Sequence, residues 1–459
     1  MKRLALASIL LFAPLAAQET QLGAEFRREM EQLKSGCSGF NFGMIANCGQ
    51  VLFTGQPLHI AVGTIAPQNG VAGGLAFVSH WTPNETWRLS WDVDAVASGN
   101  ASWRAGAYLT AVYVKRRLLT VSSGSAAAPK TTVAITEHPV FHAYVQDASL
   151  NKIGFFGLGA NTSDVNRTFF GIREAIVGGN VVWPLIPVIN LSVFGEANGR
   201  FVDIRGSNDS SSPSIQQLYN EASAPGLTNQ PAFGQFGEGI RARPILAKGY
   251  VRLNYSFAFQ QYVAGSSPYS FRRITTDLQH QFPLYKRTRT FLANGFNGPD
   301  DCSADVNVHK CPSITRNLEG SFGVRFLLTE SFVPSGNVVP FYFDPTIGGS
   351  DINGVPWLPS YQDYRFRGPN LMVLRESFEH SIYGPLGVTV MRDDGKVTLR
   401  REDIDFSHMA HSWAAGLTLR AGGLPMIYLL FAWGGHEGHH TTAMIDPSLL
   451  GASPRPSMY

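Results

Sequence analysis

The sequence predicts an all-β transmembrane barrel of about sixteen antiparallel strands, on three observations. Charged residues make up only 15% of the 459, while aromatics reach 12% and glycines number 47. Past the first residues the chain lacks an uncharged apolar run of the roughly 18 residues that a spanning helix needs, so its 44% apolar content is dispersed. Segments instead alternate apolar and polar side chains with period two, which suits a strand with lipid on one face and water on the other.

The first residues set the compartment. Lys2 and Arg3 precede an apolar run from Leu4 to Ala17, and the small Ala16 and Ala17 stand just before Gln18. A charged start, a short apolar stretch and small residues at a cleavage point make residues 1–18 a secretory signal peptide. Residues 19–56 are then an N-terminal periplasmic or plug segment, 57–450 the barrel, and 451–459 a C-terminal tail. The protein is expected in the outer membrane. A net charge of +3 gives no reason to expect nucleic acid as a partner.

Three stretches alternate without a break. In Trp87–Ala97, Trp87, Leu89, Trp91, Val93 and Ala95 oppose Arg88, Ser90, Asp92 and Asp94. In Val251–Gln260, Val251, Leu253, Tyr255, Phe257 and Phe259 oppose Arg252, Asn254, Ser256, Ala258 and Gln260. In 413–420, Trp413, Ala415, Leu417 and Leu419 oppose Ala414, Gly416, Thr418 and Arg420. Each has the length of a tilted bilayer-crossing strand. Further strands are expected at 71–80, 103–114, 136–147, 167–178, 188–200, 271–282, 288–296, 317–329, 371–382, 386–397 and 426–434. A soluble sandwich would need a second sheet over every one of these apolar faces, and no fixed repeat supports a propeller. Three stretches read as long loops on the extracellular side: 116–132, 206–237 and the segment holding Cys302 and Cys311. Leu22, Phe26, Met30 and Leu33 recur at helical spacing, so 20–34 is expected to form a helix packed in the periplasmic mouth or lumen. The alternative is a helix lying on the membrane surface.

Competing chemistry is thin. Cys37 with Cys48 and Cys302 with Cys311 read as two local disulfides in an exported chain. His436-Glu437-Gly438-His439-His440 has the wrong spacing for a zincin helix and sits in a glycine-rich turn, so no metal is assigned. No GxSxG elbow occurs. His408, His411 and Ser412 suggest a hydrolase only on paper, and no cofactor is implied.

Several local patterns, in order along 150–440, together resemble the BamA/TamA-type bacterial surface-antigen family. They are Phe155-Phe156-Gly157-Leu158-Gly159-Ala160-Asn161; Tyr269-Ser270-Phe271-Arg272-Arg273 with Asp277-Leu278; Val339-Pro340-Phe341-Tyr342 with Ile347-Gly348-Gly349-Ser350-Asp351; Tyr364-Arg365-Phe366-Arg367; Asp393-Asp394-Gly395-Lys396-Val397; and Glu437-Gly438 before the last strand. The resemblance implies sixteen strands, a weak seam between first and last, and an inward loop whose RG(F/Y) arginine meets the D-x-G strand. It nominates Gly348, Gly349, Ser350, Asp351, Tyr361, Tyr364, Arg365, Phe366 and Arg367 on the loop, with Asp393 and Gly395 facing them. Here Pro359 and Ser360 stand where the family has Arg and Gly, after an extra Ile352-Asn353-Gly354-Val355-Pro356-Trp357. Arg365 or Arg367 is therefore expected to reach Asp393 instead. The implied role is insertion or translocation of proteins or lipids at the outer membrane. Outer-membrane lipid and client outer-membrane proteins are the partners, with a separate POTRA-like protein supplying what 19–56 is too short to hold. The alternatives are a diffusion channel tuned by lumen charges such as Arg88, Asp92, Asp94 and Arg252, and, more remotely, an outer-membrane hydrolase.

Overall fold

The computed structural model describes residues 21–37, 52, 57–114, 138–207, 211–265, 268–292, 313–383, 386–421, 424–445 and 456–458. Sixteen strands follow one another: β1 (Leu58–Thr64), β2 (Val71–Trp81), β3 (Trp87–Ser98), β4 (Trp103–Tyr113), β5 (Val140–Phe155), β6 (Thr168–Ile186), β7 (Leu191–Gly206), β8 (Phe233–Ala242, continued by Ile245–Leu246), β9 (Val251–Ala264), β10 (Phe271–Leu292), β11 (Ser313–Phe332), β12 (Asn370–Tyr383), β13 (Leu386–Thr398), β14 (Ala410–Ala421), β15 (Leu424–Gly435) and β16 (Gly438–Ile445). Each pairs antiparallel with its sequence neighbour. β1 and β16 come side by side, so the sheet wraps on itself. Among the described residues no ladder joins these two, and the barrel has a seam there. No described helix is long and apolar enough to cross a membrane.

The two faces separate as the alternation demands. On β3, Trp91 and Val93 stand half exposed on the outside, while Asp94 and Val96 are buried within. Asp94 is held at 2.5 Å by Arg104 of β4. Call the end where β1 starts the near end. There Trp87, Tyr113, Phe141 and Trp183 form an outward row with ring separations of 5.1, 5.9 and 6.3 Å, the arrangement that aromatic girdles of membrane barrels take. At the far end Trp413 and Trp433 lie opposite each other on the outer face.

Three expectations change. The segment 271–282 and the described part of 288–296, up to Leu292, belong to one strand, β10, which continues through Pro283 because the register shifts there; a bulge asks no ladder N–H of proline. The long loops do not share one end. Each hairpin reverses the chain, so the connection after β7 leaves from the far end, whereas those after β4 and β10 leave from the near end. The residues of the latter two, 115–137 and 293–312, lie outside the described residues, as do Cys48, Cys302, Cys311 and the signal segment.

The helix α1 (Gln21–Gly36) is also not in the lumen. Phe26 packs 6.4 Å from Phe77, and the Ser79 hydroxyl donates to Glu25 Oε2 at 3.3 Å. Phe77 lies opposite the half-exposed Val93, so the helix rests on the outer face of β2. The Leu58 N–H donates to Glu29 Oε2 at 3.3 Å. Leu58 turns this N–H away from β2, since the next ladder bond runs from Val78 N to Pro57 O. Glu29 thus caps an edge group of the seam, where open strands otherwise invite pairing. The lumen is already filled, by the connections described next.

Candidate functional site

The segment between β11 and β12, residues 333–369, folds inward and fills the far half of the lumen. Phe341, Tyr342 and Phe343 make one buried turn and lock into an aromatic cluster. Phe341 lies 5.2 Å from Phe155 and 5.1 Å from Phe170, and Phe343 lies 4.9 Å from Phe233. Next, Thr346–Ile347 pairs with Phe366–Arg367. Between them Gly348 and Gly349 take φ +99° and +64°, where a side chain is strained. Their N–H groups donate to Trp357 O and Leu358 O at 2.9 and 3.1 Å. The extra residues form a tight turn: Val355 N–H donates to Asp351 Oδ1 at 2.9 Å, and Gly354 N–H to Asp351 O at 2.9 Å.

The clamp on Asp393 differs from the expected one. Arg365 and Arg367 do not reach it. Arg375, its partner in the β12–β13 register, grips it instead, with Nε to Oδ1 at 2.6 Å and Nη2 to Oδ2 at 2.7 Å. The loop contributes its Leu358 N–H, at 2.8 Å from Asp393 Oδ2, and the Trp357 ring. The Arg375 guanidinium lies 4.3 Å from that ring and Arg325 lies 4.8 Å from it. Arg325 is itself paired with Asp277 at 2.8 Å. The wall therefore supplies the arginine, and the loop supplies an aromatic face and a backbone donor. Such cation–π and charge-assisted contacts strengthen as water is excluded.

Arg365 does other work. Its Nε meets Glu437 in the turn between β15 and β16, and its Nη atoms donate to Thr162 Oγ1 and Thr162 O, both at 2.6 Å. Tyr364 and Asp363 reach the opposite side of the seam: Tyr364 OH donates to Pro67 O at 3.0 Å, and Gln68 Nε2 to Asp363 O at 3.4 Å. Pro67 and Gln68 belong to the turn between β1 and β2. Residues 362–365 thus bridge both hairpins that flank the seam. Asp363 also takes the Ser350 N–H at 2.9 Å, and burial pushes its carboxyl up to about 6.

The remaining nominated residues pack around these contacts. Tyr361 lies 5.1 Å from Phe366, and Arg367 Nη1 donates to Phe341 O at 3.0 Å. At Gly395 a Cβ would lie 3.1 Å from Ile347 Cδ1 and 3.3 Å from Leu358 Cδ1, so the strand glycine lets the loop approach. Sequence reasoning missed Arg375, Trp357, Arg325 and Thr162. It also gave the glycine-rich turn around Glu437 no partner on the loop, whereas Glu437 carries Arg365. Among the described residues no three metal-ligating side chains converge.

One buried acid predicts a pH dependence. Asp344 is almost fully buried, and burial pushes its carboxyl up to about 8, against the pull of Arg273 and Arg367. Its folded-state value lies above the unfolded one, so its stabilising share is complete below about pH 4 and is lost as pH rises through about 8. Heat-modified gel mobility measured from pH 5 to 9 should show the wild-type midpoint falling, with a slope of at most about 1.4 kcal/mol per pH unit. Asp344→Asn should flatten that part of the fall. A parallel fall in both proteins would contradict the assignment.

The fold is thus an antiparallel barrel with an inward, wall-clamped loop and, among the described residues, a seam without a ladder between β1 and β16. No protein-family model and no curated protein matches the chain. Among solved structures it is similar to CdiB from Acinetobacter baumannii, at 12% identity over 93% of this chain and 72% of that one, TM-score 0.45. It is similar to BamA from Haemophilus ducreyi lacking POTRA domains 1–3, at 10% identity over 85% and 70%, TM-score 0.45. It is also similar to CdiB from Escherichia coli, at 12% identity over 84% of this chain and 62% of that one, TM-score 0.48. Activities and partners do not transfer on likenesses of this size.

Proposed function

We propose that this barrel inserts or translocates proteins, or lipids, at the outer membrane by opening at the β1–β16 seam. One observation carries the reading: residues 362–365 of the inner loop are bonded at once to the β1–β2 turn and to the β15–β16 turn. A shift of the loop therefore changes the restraint on the seam, and a seam without a ladder is the cheapest place for this sheet to part. Client outer-membrane proteins and lipid are the substrates in this reading, and a separate POTRA-like protein delivers the clients. The diffusion-channel alternative is weakened by the loop that fills the lumen and by Asp94, a candidate selectivity charge, being buried against Arg104.

Reconstitution separates the two. Liposomes holding the purified protein should insert an unfolded client barrel at least about tenfold faster than empty liposomes, a gain of about 1.4 kcal/mol in the barrier. In planar bilayers the protein should give no large, steady pore. Steady conductance without accelerated insertion would favour the channel and reject the proposal.

A further inference from the structure

Residues 456–458 sit where a segment following the last strand is not required to be. β16 ends at Ile445, at the near end of the wall, yet this segment lies inside the barrel. The guanidinium of Arg200 on β7 is completely buried. Its Nη1 donates to Glu174 Oε1 at 2.8 Å and its Nε to Gln235 Oε1 at 2.5 Å and Asn198 Oδ1 at 3.2 Å. Its Nη2 donates to Ser457 O at 2.9 Å. From the other side, the inner-loop residue Asn353 holds the same segment. Met458 N–H donates to Asn353 Oδ1 at 3.2 Å, and Asn353 Nδ2 donates to Ser457 Oγ at 3.4 Å. The Met458 side chain is buried in the aromatic cluster of the loop and wall. A cavity of about 370 Å³ opens beside Ser457, between the wall and the loop, lined among others by Asp351, Asn353 and Trp357.

These contacts are those of a peptide site. A buried cation whose Nε and Nη1 are engaged by wall residues presents its Nη2 to a main-chain carbonyl. An amide side chain reads the next main-chain N–H and the hydroxyl, and an apolar recess takes an unbranched side chain. We propose that the lumen contains a binding site for a short extended peptide, polar residue then apolar residue, built from Arg200 on the wall and Asn353 on the inner loop. The chain's own Pro456–Met458 occupies it in cis. The occupied site ties the tip of the inner loop to β7, across the lumen from the seam contacts. This proposal stands whether or not the barrel moves clients, since it concerns occupancy of the lumen alone.

The test uses a fluorescein-labelled synthetic peptide with the sequence of residues 451–459, followed by anisotropy against the purified barrel in detergent. A barrel lacking residues 456–459 should bind it saturably and at least tenfold more tightly than the full chain, whose own segment competes. Asn353→Ala in the shortened barrel should weaken binding about tenfold. Should the shortened barrel fail to fold, the full chain carrying Met458→Glu, which places a charge in the apolar recess and expels the segment, should gain binding instead. Absence of binding to a folded shortened barrel, absence of binding to Met458→Glu, or equal binding to shortened and full-length forms would overturn the proposal.

Discussion

Arg375→Ala is expected to lower the barrel's stability by about 3–5 kcal/mol, the range for removing one partner of a buried ion pair. Asp393 is wholly buried, and without Arg375 it keeps only the Leu358 N–H among these contacts. Trp357 loses one of its two guanidinium neighbours as well, a contact of about 1 kcal/mol. The effect should be non-additive. Asp393→Asn together with Arg375→Met removes both charges and should recover much of the loss, because an unpaired buried charge costs more than a neutral pair. Urea unfolding in detergent measures both variants against the wild type. A single variant that loses under 1 kcal/mol would show that the clamp is ornamental.

Gly349→Val should be nearly as damaging, at about 3 kcal/mol or more, for a different reason. Gly349 has φ +64°, and a Cβ there would fall 2.5 Å from both the N and Cα of Asp363. Backbone cannot yield as a flexible side chain can, so the loop must part from residues 362–365 and with them from the seam hairpins. Strain at positive φ for a β-branched residue adds about 1–3 kcal/mol. Gly336 supplies the control: it has φ +82°, but nothing lies within 4 Å of its added Cβ. Gly336→Ala should therefore cost only the backbone term, about 1–2 kcal/mol. Limited proteolysis of the intact barrel should cut the 349 variant inside the loop and leave the 336 variant resistant. Equal resistance would mean that packing against Asp363 does not hold the loop.

How much of this was legible depends on where the physics acts. Strands that face lipid and water alternately announce themselves, as Trp87–Ala97 does, but β1, β8 and β16 were not among the expected segments. β1 was hidden because its inward residues His59, Ala61 and Gly63 include small or apolar ones that blur the alternation. β8 was read as loop as far as Gly237 and left unassigned beyond it, because Gly234, Gly237 and Gly239 thin its pattern. Gly239 has a structural reason, for an added Cβ there would lie 2.3 Å from the Phe194 ring. Pro283 split β10 on paper, since a proline reads as a strand end until a bulge is known to excuse it.

The site was legible in its materials and not in its pairing. Asp393, Gly395, Gly348 and Gly349 do meet, but the arginine that clamps Asp393 comes from the neighbouring strand. That choice needs the β12–β13 register, which sets Arg375 opposite Asp393. The extra residues Ile352–Trp357 were read only as a departure from the family pattern, yet their last member brings its aromatic ring to two arginines. Helix α1 was placed on the wrong side of the wall because amphipathicity does not say which apolar surface a helix will meet.

The measurement closest to the central claim is a reversible lock on the seam. With the native cysteines replaced, one cysteine in β1 and one in β16, paired by scanning across the gap, can be oxidised and then reduced in proteoliposomes. Insertion of a client barrel should stop on oxidation and return on reduction, while a matched cysteine pair across β5 and β6 should leave the rate unchanged. An unaltered rate through the locked seam would contradict the account.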